Sequence, residues 1–283
     1  MSEGGCAPAK STSALTLMVL IPYGTTCYND APAWGTRLIL LANIAVFAAA
    51  RLGVIDPEAW IQDWQDPLRP ALIGASFLHL EWLHLVPNLL YLWVLGRIVE
   101  GAIGTLSFLL LSLAIILGAN GLEAAVLFGE SGGSLGASGL AFGWLAAAFL
   151  VAPRSKVHCF VVLFLPLIYR PSLVKMPLVG FTALILGIEV AKAAFTGFEP
   201  SSAFLHVAGA TIGALLSYLG LKLRWLDAGD WDLFSLQDRK DRAPAKLLAK
   251  SARKRASKVT RCSACGRVKP PRVTSCVYCG SRW

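Results

Sequence analysis

Apolar residues in this chain come in long uninterrupted blocks, with polar residues gathered in the short stretches between them. A helix needs roughly 20 apolar residues to cross a hydrocarbon core of about 30 Å. Six windows of about that length stand between charged or proline-rich breaks: residues 34–54, 82–103, 106–127, 135–152, 177–195 and 203–223. A seventh run, 157–168, is short and broken by Pro166, so it reads as an interfacial or partly buried segment rather than a span. The pattern predicts an all-α polytopic membrane protein built on a six-helix bundle. The first apolar run, Leu15 to Ile21, has only Lys10 before it and Pro22 and Gly24 after it, and is too short to read as a cleavable signal peptide.

Composition agrees, since 55% hydrophobic against 15% charged residues is not the balance of a soluble globule. Charge then orients the spans. The loop between the first two windows holds five acids and a single base, Arg69, and the loops at Glu123 and Glu130 and at Glu199 hold no base. Arg154, Lys156, Arg170 and Lys175 instead separate the fourth window from the fifth. Basic loops stay on the cytoplasmic side, which places both termini there, as in a bacterial-type inner (plasma) membrane. From Lys222 onward 16 Lys and Arg face 5 Asp, net +11 of an overall +9, so the basic excess belongs to the tail. Its placement after a hydrophobic helix favours an anionic lipid surface over nucleic acid. Four parts follow: an N-terminal cytoplasmic segment (1–33), a membrane domain (34–224), a basic linker (225–260) and a small module (261–283).

That module carries Cys262-x2-Cys265-x10-Cys276-x2-Cys279. Two close pairs of thiolates, each on a turn that Gly266 or Gly280 permits, suit one tetrahedral ion, and about 22 residues bury too little core to fold without one. The spacing is zinc-ribbon-like and predicts a structural Zn²⁺. Four cysteine ligands leave no open position for catalysis, so the module is expected to be structural or to bind a cytoplasmic protein partner.

Ionisable and polar residues are expensive within lipid, so those inside the windows are the candidates for chemistry. The second, fourth and sixth windows all run inward from the external face, and His84, Asn88, Ser138 and His206 fall in their N-terminal parts. His84 and Asn88 are four apart and share a helix face. Ser138 follows Gly136 and precedes Gly139, where a sharp entry into a helix leaves backbone N–H groups open to a developing oxyanion. A serine becomes a nucleophile when a neutral imidazole takes its proton, and His206 is the candidate base. Gly209 and Gly213 on one helix and Gly139 and Gly143 on the other are small-residue faces through which the two could pack. Glu189 and Lys192, three apart, read as a local pair or as snorkelling residues; a transporter would use them, but no inverted repeat supports that reading.

These residues resemble the rhomboid family of intramembrane serine proteases. Gly136-Ala137-Ser138-Gly139 resembles its nucleophile motif, His84-x3-Asn88 its second-helix element, and His206-x2-Gly209-x3-Gly213 its sixth-helix pattern. The resemblance covers about residues 20–224 and implies a Ser138 and His206 dyad without an acid and no catalytic cofactor. It also implies an oxyanion hole from His84, Asn88 and the Ser138 N–H, a structural role for His79 and Glu100, and transmembrane proteins as substrates. The loop near residues 199–202 would act as a lid. A rival reading is an inactive relative that binds membrane proteins for quality control, with the cysteine module as adaptor.

Overall fold

Helices form where the apolar windows fall, and the computed structural model describes residues 17–26, 32–66, 71–165, 168–195, 202–235 and 262–267, with Cys279 and Arg282. They are α1 (Trp34–Arg51), α2 (Trp82–Ile103), α3 (Thr105–Val126), α4 (Ser138–Val151), α5 (Leu178–Phe195) and α6 (Ser202–Lys222). Among the described residues, α1, α2, α3 and α6 are long and apolar enough to cross a membrane. The outward surface supports this. On α3, Leu106, Leu110, Leu113 and Leu117 are all exposed at spacings of four, three and four. A helix that turns leucines outward along one stripe is solvated by lipid, and the chain is an integral membrane protein.

The fourth window is corrected at its start. Residues 135–137 are not helical, because Gly136 sits at φ +108°, where an L-residue with a side chain is strained and the helix cannot begin. α4 therefore has 14 residues, about 21 Å, and most of them are buried. It is enclosed by protein, with Ser138 as its first residue.

The core is assembled around α4. Trp144 is fully buried, stacks at a tilt on Phe108 with ring centroids 4.7 Å apart, and donates its Nε1–H to Ser112 Oγ at 3.0 Å. At the other end Glu100 of α2 binds three helices together. Its carboxylate accepts from the N–H groups of Gly35 and Thr36 at 2.8 Å, from Thr36 Oγ1 at 2.7 Å and from Thr105 Oγ1 at 2.6 Å. Two of these donors are open N–H groups at the start of α1, where a negative charge is favoured. Glu100 is the structural contact expected of it.

The bundle is helical, but a three-stranded antiparallel sheet accompanies it, which the expectation of an all-α chain did not include. Strands β1 (Leu17–Thr26), β2 (Lys156–Leu165) and β3 (Ile168–Pro177) pair in that order. The run read as interfacial falls on β2 and the start of β3. Its β-branched and aromatic residues suit a strand, and Val157 and Cys159 are fully buried. β1 lies in the segment expected to stand apart as residues 1–33, yet it pairs with β2 along its length, with an irregularity between Pro22 and Gly24. A second small ladder, Gln62–Asp63 with Gly133–Ser134, ties the loop after α1 to the loop before α4. The chain divides into two units, Met1–Leu233 and Phe234–Trp283.

Candidate active site

The two helices that carry Ser138 and His206 meet through their main chains. A Cβ placed on Gly209 would overlap the carbonyl of Gly139, and one on Gly213 the carbonyl of Gly143. Both contacts advance by four residues in the same direction, so α4 and α6 run parallel in fixed register. One residue before Gly139 is Ser138; three before Gly209 is His206. Phe142, one turn after Ser138 on the same face, stacks flat on the His206 ring at 4.3 Å. The packing of small residues expected between these helices is what the structure contains.

Ser138, His206, His84 and Asn88 all line one cavity of about 830 Å³. Ser138 opens α4, and no side chain caps that helix, so the first-turn N–H groups are left for another acceptor. His84 lies over Gly136: a Cβ there would come within 2.7 Å of its Cε1 and 2.8 Å of its Nε2, so only glycine lets the imidazole approach this loop. Asn88 reaches the same wall, but its Nδ2 is engaged with His79 Nε2 at 3.0 Å and donates to the His84 carbonyl at 3.1 Å. Its amide would have to turn to meet an oxyanion.

His79 organises this corner from the loop before α2. It is fully buried, edge-on to His84 at 4.9 Å, and its Nε2 accepts from the Ala137 N–H at 3.5 Å. With Nε2 accepting, the proton belongs on Nδ1, which faces the Phe77 carbonyl at 3.3 Å. Burial, and then the neighbouring His84 charge, lower its pKa from 6.5 to about 4. His79 is therefore a neutral buttress between α2 and the residue before Ser138.

One cavity residue was missed as a functional candidate. Glu189 pairs with Lys192 at 2.8 Å, as its spacing suggested, but its other oxygen lies 2.9 Å from His206 Nδ1. Both Glu189 and His206 are buried. The signal available was Glu189 itself, an acid in an apolar helix; nothing in the sequence gives the rotation of α5 against α6. The proposed lid falls mostly in residues 196–201, outside the described residues.

In the second unit, Cys262, Cys265 and Cys279 converge with their sulfurs within 4.8 Å of one another. Cys262 and Cys265 lie on a turn in which Gly266, at φ +72°, donates its N–H to the Cys262 carbonyl at 2.8 Å, and the Cys262 N–H bonds the Arg267 carbonyl at 2.8 Å. Three thiols held this close fit a thiophilic metal ion, and this cluster can coordinate one. Cys276, the fourth expected ligand, lies outside the described residues.

Comparison with known proteins accounts for the bundle. The Rhomboid domain family matches residues 65–223. Rhomboid-like protein 11, chloroplastic, of Arabidopsis thaliana is 30% identical over 118 residues, which cover 41% of this chain and 42% of that relative. The chain thus aligns with less than half the length of that relative. With more than half of its residues inside the matched domain, and with polar side chains of α2, α4 and α6 gathered in one cavity, the chain belongs to the rhomboid family.

Proposed function

We propose that this protein is an intramembrane serine endopeptidase that cleaves transmembrane segments of other membrane proteins. The observation that carries the reading is the single cavity shared by Ser138, His206, His84 and Asn88. In the first step the Ser138 Oγ attacks the scissile carbonyl carbon while its proton passes to His206 Nε2. The carbonyl electron pair moves onto oxygen, where the N–H of Ser138 and the His84 imidazole stabilise it, joined by Asn88 once its amide turns. Collapse breaks the C–N bond, and His206 returns the proton to the leaving amine. Water, activated by the same imidazole, then hydrolyses the acyl-enzyme. A substrate helix must first unwind, since its ladder of hydrogen bonds hides the carbonyl carbon; helix-weakening Gly, Pro or Ser near the cut and a small residue before it are the expected signature.

The remaining parts serve placement. Both termini are cytoplasmic in this reading, the basic linker lies against anionic lipid, and the cysteine module holds a structural Zn²⁺ through Cys262, Cys265, Cys276 and Cys279. Bound zinc would supply folding energy to the module and no catalytic step. The module is the surface offered to a cytoplasmic protein.

The test is cleavage of a panel of single-span substrates by the detergent-purified chain, alongside labelling by a fluorophosphonate probe. Ser138→Ala and His206→Ala are each expected to lower cleavage by roughly 10³-fold or more, and Ser138→Ala to abolish labelling. Wild type that neither cleaves nor takes the probe would transfer the protein to the inactive, membrane-protein-binding class.

A further inference from the structure

We propose that Glu189 is a positioning residue for His206, which makes the site a Ser138, His206 and Glu189 triad rather than a dyad. The inference rests on the proteolytic reading above. A carboxylate can only accept, so the 2.9 Å contact between Glu189 Oε2 and His206 Nδ1 assigns the ring proton to Nδ1. Nε2 is thereby left with its lone pair, the form a general base requires. The same carboxylate favours the imidazolium created when Ser138 gives up its proton, and remains ionised throughout.

The plainer account is that Glu189 exists to neutralise Lys192, its neighbour at i+3. Two observations argue against it as the whole explanation. The Lys192 side chain is 55% exposed whereas that of Glu189 is 11% exposed, so the acid is drawn inward, away from where the lysine could meet water or lipid headgroups. Its two oxygens are also divided, Oε1 to Lys192 and Oε2 to His206. Phe142 fixes the ring plane from the opposite helix, so stacking and hydrogen bond together leave the imidazole one orientation. Among the described residues lining the cavity, the other ionisable side chains are His84 and Tyr91 from α2, of which His84 could only repel an imidazolium, and Glu81 at the cavity margin. Glu189 is thus the acid in hydrogen-bond contact with the base. It comes from α5, a helix that contributes neither nucleophile nor base.

The experiment uses the full chain in detergent. Glu189→Gln preserves size and is expected to lower kcat by on the order of 10²-fold or more while leaving KM within about twofold, because substrate binding does not use the pair. Loss through misfolding would instead show in KM and in thermal stability. A second readout is spectroscopic: in ¹⁵N-histidine-labelled wild type, the hydrogen-bonded Nδ1–H of His206 should give a low-field proton resonance, absent in Glu189→Leu. Wild-type kcat in Glu189→Gln, or a wild-type spectrum without that resonance, overturns the proposal while leaving Ser138 and His206 their roles. Wild type that is inert to substrates and probe removes the proteolytic reading, and the positioning role with it.

Discussion

His79 carries an electrostatic consequence at the scale of one residue. Its folded pKa of about 4 lies below the ordinary 6.5, so the fold binds the neutral ring and the unfolded chain takes up the proton first. The stability it contributes is complete above pH 6.5 and is lost as pH falls toward 4, a difference of about 3 kcal/mol. Thermal unfolding of wild type and His79→Gln between pH 7 and 4 checks this: the wild type should lose stability more steeply, and parallel slopes would show that the ring is not held neutral. Ser138, His84, Asn88 and His206 stood out in the sequence because polar residues in apolar windows are few, and the structure lines one cavity with all four. Glu189 was not legible in its second role, since Lys192 three residues on offers a complete local explanation. Only the mutual rotation of α5 and α6 shows the carboxylate to be divided between two partners.

Between elements, the controlling contact is the seam of α4 and α6. Because Gly209 meets the Gly139 carbonyl with no side chain intervening, Gly209→Ala should force the helices apart and destabilise the protein by about 1–3 kcal/mol or more. Cleavage should fall further than stability explains, since the proposed nucleophile and base ride on separate helices. Denaturation midpoints measured beside cleavage rates decide it, and an alanine variant of unchanged stability and rate would mean the seam is not load-limited by this glycine. The helices themselves were readable, since a 20-residue apolar block has one structural meaning. The start of α4 was misplaced because Gly136 interrupts a run that composition alone continues. The strands were missed as strands because a ten-residue apolar run such as β2 does not reveal its period.

For the whole molecule, the division into two units predicts separable behaviour. A chelator should strip one metal ion per chain, read by elemental analysis, and expose the module's cysteines to alkylation, while cleavage stays within about twofold. Cleavage that disappears with the metal and returns with added zinc would tie the module to catalysis. The cysteine spacing announced the cluster, and the structure adds that Cys262, Cys265 and Cys279 do converge. The backbone seam bears on mechanics as well as packing. Parallel helices interlocked at Gly139 with Gly209 and Gly143 with Gly213 form a stiff joint, with no side-chain rotamers to absorb shear. Lateral pressure or a change of bilayer thickness would tilt that pair as one lever. α5 touches α4 and α6 sparsely, so a displacement of α5 against that lever should show first in the contact between Glu189 and His206.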